Sequence, residues 1–186
     1  MNIEVSNVAN LPTLHGEFLI QSFKQGIKEH LVIMTKQYDK IPNVTIHSEC
    51  LTGDAISSIK CDCQSQLNYS LKYINEHSGI VIYLRQEGRD IGLLNKVNAY
   101  ALQDKGLNTI EANHQLGFAS DERTYEIVDY IFEYLNIDEV NLITNNPDKL
   151  NKIKVKINKR IPIQVGQTPQ NKDYLKTKKE QMGHLL

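Results

Sequence analysis

All three cysteines of the chain fall inside one stretch, "HSECLTGDAISSIKCDC", at Cys50, Cys61 and Cys63. This C-x10-C-x-C spacing constrains the fold sharply, because thiols that share a metal must converge on a single point. The backbone between Cys61 and Cys63 has to turn for both to face one ion, and Cys50 has to arrive from a separate loop. Three is odd for a disulfide framework and one short of the four ligands of a closed structural zinc site. Two arrangements stay open. With His47 as fourth ligand the group is a Cys3His structural site. With a water in the fourth position it is a catalytic zinc, which lowers the pKa of that water to about 7. The polar context "KCDCQ" speaks against three merely buried cysteines. Zinc is the natural occupant, since it accepts soft thiolates and has no redox chemistry.

The rest of the chain needs no metal staple. At 186 residues, 40% hydrophobic and 23% charged, it has the material for one domain with a real core. A formal net charge of -1 gives no global field for nucleic acid or an anionic membrane. No nucleic-acid or membrane partner is expected, and an anionic ligand has to be held by a local cation cluster or a metal. No apolar run approaches the roughly 20 residues of a membrane span, and no signal-peptide core opens the chain. The expected compartment is the cytoplasm, where thiols stay reduced and clustered cysteines point to metal or catalysis.

Apolar periodicity places strands at "HLVIMT" (from His30), "NVTIHSE", "GIVIYL", "EVNLIT" and "RIPIQV". Helices are expected at "QSQLNYSLKYINEHSG", with Gly79 as its stop, at "LLNKVNAYALQDKG", closed by Gly106, and at "DERTYEIVDYIFEYL". "TIEANHQLGFAS" reads as a loop, and "NNPDKL" as a turn opening a short helix. Strands alternating with helices predict an α/β (mixed α+β) fold: one mixed sheet covered by helices, with the zinc site on a loop beside it. Residues 1–186 form a single domain in this reading. A basic helical tail over about 172–186 docks back on the body or on a partner subunit.

Four other constellations carry chemistry or its ordinary alternative. Asp121 and Arg123, in "DER", sit where a helix is expected to open, so Asp121 is a cap or a functional carboxylate. "RQEGRDIG" follows a strand, and Gly88 there lets backbone N–H groups approach a phosphate beside Arg89. Tyr100 lies mid-helix, where packing is the ordinary role. Thr144 and Lys149 bracket "TNNPDK" at a strand end, where α/β proteins bind ligands.

"HSECLTGD", "KCDCQSQL", "YLRQEGRDIGLLNKVNAYALQDKGLNT", "EANHQLGFASDER" and "LITNNPDK" resemble, in order and spacing, the motifs of GTP cyclohydrolase II. The resemblance runs from "LPTLHGEF" to "MGHLL", nearly the whole chain, and looks like the monofunctional form without a dihydroxybutanone-phosphate synthase domain. It implies hydrolysis of GTP to formate, diphosphate and a diaminopyrimidinone, the first step of riboflavin biosynthesis. It implies one zinc per chain on Cys50, Cys61 and Cys63 plus water, magnesium carried by the triphosphate, and a homodimer. By similarity, Asp121 matches the proton acceptor, Arg123 the nucleophile on the α-phosphorus, and Tyr100 a catalytic neighbour of the purine. An electrostatic clamp is the other role open to Arg123, because guanidinium holds its proton above about pH 12. Substrate contacts carry over to Thr45, Ile46, His47, Ser48, Glu49, Gln66, Glu87, Gly88, Arg89, Thr109, Thr144 and Lys149.

Two positions depart from the family pattern. Thr45 stands where the family usually has Arg, and Lys60 where it tends to have Arg before the C-x-C. Both changes remove guanidinium forks from the substrate side, which bears on GTP affinity more than on the reaction. Two rival readings remain at this level: a zinc-stabilised GTP- or RNA-binding module, and a degenerate homologue without turnover.

Overall fold

A computed structural model describes residues 2–185 and gathers all strands into one mixed sheet of eight. The N-terminal half is antiparallel. Strands β1 (Ile3–Val5) and β2 (Ala9–Thr13) both pair with β3 (Gly16–Gln25), which pairs in turn with β4 (Lys28–Met34). The strand expected from His30 is β4, but three strands precede it where none was expected. Their signal is weak because β1 and β2 are short, largely exposed edge strands without an apolar run.

The C-terminal half is parallel. Strands β5 (Asn43–Ser48), β6 (Ile80–Leu84), β7 (Glu139–Ile143) and β8 (Lys156–Ile161) complete the order β1-β3-β4-β6-β5-β7-β8. Between them run α1 (Leu51–Asp54), α2 (Cys63–His77), α3 (Gly92–Gln103), α4 (Thr109–Gln115), α5 (Glu126–Tyr134) and α6 (Pro147–Lys152). A 3-10 turn (Pro169–Asn171) leads into α7 (Lys172–Met182), the expected tail helix; residue 186 of that tail lies outside the described residues.

Strand alternation divides the core between the two faces of the sheet. Phe23, Val32, Val44, Ile46, Ile82, Leu84 and Leu142 pack against Ile127, Val128, Ile131 and Phe132 of α5. On the other face Phe18 and Val81 meet Leu71 and Ile74 of α2. Gly79 does more than stop α2. Its φ is +147°, and a Cβ there would lie 2.2 Å from the Asn43 carbonyl oxygen, so only glycine lets β6 start beside β5.

Three local expectations are corrected. "TIEANHQLGFAS" holds a helix, α4, opened by a capping box between Asn108 and Glu111. The helix expected from Asp121 begins at Glu126; the Asp121 carboxylate instead closes a turn, accepting from both the Arg123 backbone N–H and its guanidinium. The last strand is Lys156–Ile161, not "RIPIQV"; Pro162, next in the chain, has no N–H to continue a ladder.

The two-faced core makes a direct prediction. Ile131→Ala, at a side chain with 0% exposure, is expected to lower stability by about 2–5 kcal/mol. Ile27→Ala, at a side chain 98% exposed, should stay within about 0.5 kcal/mol of the parent. Urea midpoints at unchanged m-value measure both, and equal effects would contradict this placement of the core.

Candidate active site and metal centre

The cysteine stretch forms a tight turn at the carboxyl end of β5. Cys50 precedes α1, Cys63 opens α2, and the three Sγ atoms lie within 4.8 Å of one another. Cys50 and Cys61 are 3.6 Å apart at sulfur, close to the edge of about 3.8 Å that two thiolates span on a tetrahedral zinc. Gly53 makes this convergence possible. A Cβ there would stand 2.9 Å from Cys61 Sγ and 3.1 Å from Cys50 Sγ. Soft donors, spacing and the glycine cradle all fit zinc.

His47 is not a fourth ligand. Its Nε2 lies 3.0 Å from Asp54 Oδ2, its ring stacks on Tyr83, and no further His, Cys, Asp or Glu joins the sulfur group among the described residues. The Asp54 carboxylate also accepts from Cys50 N at 3.0 Å and Tyr83 Oη at 2.8 Å, pinning the metal turn to β5 and β6. Beside the thiols, buried Lys96 lines the same site and donates to Cys50 Sγ at 3.1 Å and to Glu87 Oε1 at 2.6 Å. Hydrogen bonds from Cys61, Cys63 and Lys96 together with the Lys96 charge hold Cys50 as a thiolate, while the Cys61 thiol, bonded to that thiolate, is pushed up to about 11. A bound metal would deprotonate all three.

The thiols form part of the wall of a cavity of about 560 Å³. It lies at the carboxyl ends of β5, β6 and β7, where loops carry side chains away from a parallel sheet. Thr45, Ile46, His47, Ser48 and Glu49 reach it from β5 and its end, and Gln66 from α2. Glu87, Gly88 and Arg89 reach it from the turn after β6, Tyr100 from α3, Thr109 from α4, Thr144 from the end of β7, and Lys149 from α6. Arg123 lines it as well; Asp121 does not.

Several of these side chains have internal partners that narrow what they do. Glu87 binds Lys96 and accepts from Leu51 N at 2.6 Å, so it braces the metal turn. Glu49 is paired with Arg85 at 2.9 Å. Thr144 Oγ1 accepts from Asn146 N, and Lys149 Nζ donates to the Ile46 carbonyl at 2.6 Å. The Tyr100 hydroxyl meets Thr52 Oγ1 at 3.2 Å. Gly88, Arg89 and Asp90 all take positive φ, and the two non-glycine residues store strain of about 1–3 kcal/mol each. Hydrogen bonds from Asp90 N to Gln86 O and Glu87 O hold that turn.

Asp121 sits behind Arg123 and fixes it. The guanidinium donates to both carboxylate oxygens, at 2.9 Å and 2.5 Å, and also to Ser48 Oγ at 3.4 Å. Burial opposes both charges, but the pair outweighs it, holding Arg123 protonated and Asp121 below its ordinary value. Lys149 differs: burial first, then Arg123 and Lys178, bring its ammonium down to about 7. Of the two departures from the family pattern, Thr45 is buried with no partner for Oγ1 among the described residues, and Lys60 Nζ pairs with Asp104 at the rim at 2.9 Å.

Sequence reasoning missed Asp54, Lys96, Asp62, Tyr174 and Lys178. Asp54 carried a signal, an acidic residue four places after Cys50 and one turn away. Lys96 and the tail residues carried none, because a lysine on an amphipathic helix reads as solvated. Gly53→Ala tests the cradle: zinc affinity, titrated against a chromogenic chelator, should fall roughly 10–100-fold in a protein that stays folded. Undiminished affinity would mean that the thiols do not close over Gly53.

The matching family model, GTP cyclohydrolase II, covers residues 4–162. A Campylobacter fetus subsp. fetus protein named GTP cyclohydrolase-2 is 65% identical over 190 residues, spanning 100% of this chain and 97% of that protein. One from Campylobacter hominis is 62% identical over 187 residues with the same two coverages, 100% and 97%. One from Helicobacter pylori strain Shi470 is 52% identical over 189 residues, covering 99% of this chain and 98% of that protein. With a thiolate triad, a cation-lined cavity and matches of this length in agreement, the chain belongs to the GTP cyclohydrolase II family.

Proposed function

We propose that this chain hydrolyses GTP to formate, diphosphate and 2,5-diamino-6-(5-phosphoribosylamino)pyrimidin-4(3H)-one, the first step of riboflavin biosynthesis. The observation that carries the reading is the meeting of three thiols and a cation group, Arg89, Arg123 and Lys149, around one cavity. A purine fits beside the first and a triphosphate beside the second. Zinc on Cys50, Cys61 and Cys63 supplies Lewis acidity and lowers the pKa of water to about 7. Two waters are consumed at C8, one opening the ring and one releasing formate; a third cleaves diphosphate from the α-phosphorus.

The chain's own groups position these steps. Arg123, locked as a cation by Asp121, clamps the α-phosphoryl group as charge develops, which favours the clamp over the nucleophile. Asp121 orients Arg123 through both of its carboxylate oxygens. The Tyr100 hydroxyl, held by Thr52, hydrogen-bonds the opening ring. Lys96 balances charge at the Cys50 thiolate, and Glu87 keeps Lys96 in place. Gln66, Thr109 and Thr144 contact the nucleotide, and magnesium enters with the triphosphate, whose charge it neutralises. The enzyme works in the cytoplasm, consistent with free cysteines and with no helix long and apolar enough to cross a membrane among the described residues.

A second copy of the chain completes the working protein. Leu93, Leu94 and Val97 stand exposed on α3, and Ile56 and Ile59 stand exposed after α1, which the Thr52–Tyr100 contact places beside α3. Sedimentation should show a dimer that Leu94→Glu shifts to monomer. A monomeric parent would sink this part of the proposal.

The division of labour is tested by measuring both products with GTP, Mg²⁺ and zinc. Cys50→Ser, Cys61→Ser and Cys63→Ser should lose formate release, stay folded and keep some diphosphate release. Arg123→Ala should block diphosphate. Unfolding of the cysteine variants would favour a structural zinc, and equal loss of diphosphate in both classes would contradict separate roles.

A further inference from the structure

The cavity wall is completed by a segment beyond residue 162, where the family model stops. Tyr174, Thr177, Lys178 and His184 line it from α7 and the turn that follows. Lys178 is the chemically distinctive member. Its side chain is only 12% exposed, its Nζ lies 2.8 Å from Asp62 Oδ1, and the Tyr174 ring centroid is 4.5 Å away. Asp62, between Cys61 and Cys63, turns its other oxygen to Gln66 Nε2 at 2.5 Å.

Charge around Lys178 is unevenly matched. Arg123 has Asp121 and Lys178 has Asp62, but among the described residues the side chains of Arg89 and Lys149 donate only to carbonyl oxygens, of Ser120 and Ile46. The cations act on one another: the His184 imidazole is brought down to about 4 by burial first, then by Lys178, Lys149, Arg123 and Arg89. An ammonium has three donors, and Asp62 takes one. A ligand with several anionic oxygens is what such a group accommodates.

We propose that Lys178 is a substrate-positioning residue that takes a phosphate oxygen of the nucleotide while keeping Asp62, so that α7 forms part of the phosphate-binding wall. The proposal rests on the GTP reading above. It gives the basic tail a task other than docking, and it is carried by the position of Lys178 in the cavity with Arg89, Arg123 and Lys149. Neutralising Lys178 also takes the cation from buried Asp62 beside the metal ligands, so the zinc content of each variant and its guanosine affinity are the controls for that turn; the tail is still held by the Leu185 N–H donating to Asn145 O at 2.9 Å.

The experiment compares the parent with Lys178→Met, Lys178→Gln and Lys178→Arg in the full-length zinc protein, using GTP, inorganic tripolyphosphate and guanosine. Removing a hydrogen bond to a charged group corresponds to roughly a 10- to 100-fold loss in affinity. Lys178→Met and Lys178→Gln should raise KM for GTP by that factor and weaken tripolyphosphate binding equally. Guanosine affinity should not change, and Lys178→Arg should recover most of the loss. Hydrogen exchange across residues 172–182 should slow on adding tripolyphosphate to the parent but not to Lys178→Met. An unchanged KM and tripolyphosphate affinity in both neutral variants would overturn the proposal, as would equal losses for guanosine and GTP, which mark a collapsed cavity. A parent that releases no formate overturns the functional reading alone, and tripolyphosphate binding then still decides the role of Lys178.

Discussion

The Asp54 carboxylate is the junction on which the site depends. It is buried, and its oxygens meet His47 Nε2, Cys50 N and Tyr83 Oη, three groups from β5, the metal turn and β6. A carboxylate removed from water is strongly destabilising unless donors replace its hydration. Here the donors come from separate elements, so satisfying one charge also fixes how the cysteine turn sits on the sheet. Cys50 is thereby aimed at Cys61 and Cys63, and Gly53 leaves the space that the three sulfurs need.

A second constraint is electrostatic. The cavity keeps Arg89, Arg123, Lys149 and Lys178 at close quarters in a chain whose net charge is -1. Such crowding opposes folding, and burial together with Arg123 and Lys178 brings the Lys149 ammonium down to about 7. Perturbed groups gather at functional sites, and a cation group of this kind suits the anionic ligand proposed for the cavity. The left-handed Arg89 and Asp90 belong to the same economy: local strain held by the turn's own hydrogen bonds puts a guanidinium at the cavity.

Legibility in the sequence followed the strength of local signals. α2 and α5, with apolar residues on one face, and β6, a continuous apolar run, could be read directly, since periodicity survives burial. α4 could not, although its Asn108–Glu111 capping box is visible in retrospect, because seven residues hold too few apolar positions. The start of α5 was misplaced because the Asp121 carboxylate, which reads as a cap, closes a local turn onto the Arg123 N–H and guanidinium, and the helix opens only at Glu126.

The cysteine spacing, the strand–helix alternation and the charged residues of the motifs were determined by the sequence itself, because each is a relation between near neighbours in the chain. Only the tertiary structure decided that His47 serves Asp54 instead of the metal, that Asp121 stands behind Arg123, and that Lys96 and Lys178 leave solvent for the site. Those outcomes depend on which side chains meet across long sequence separations, Lys178 with Asp62 over 116 residues, where burial and charge pairing have no local signature.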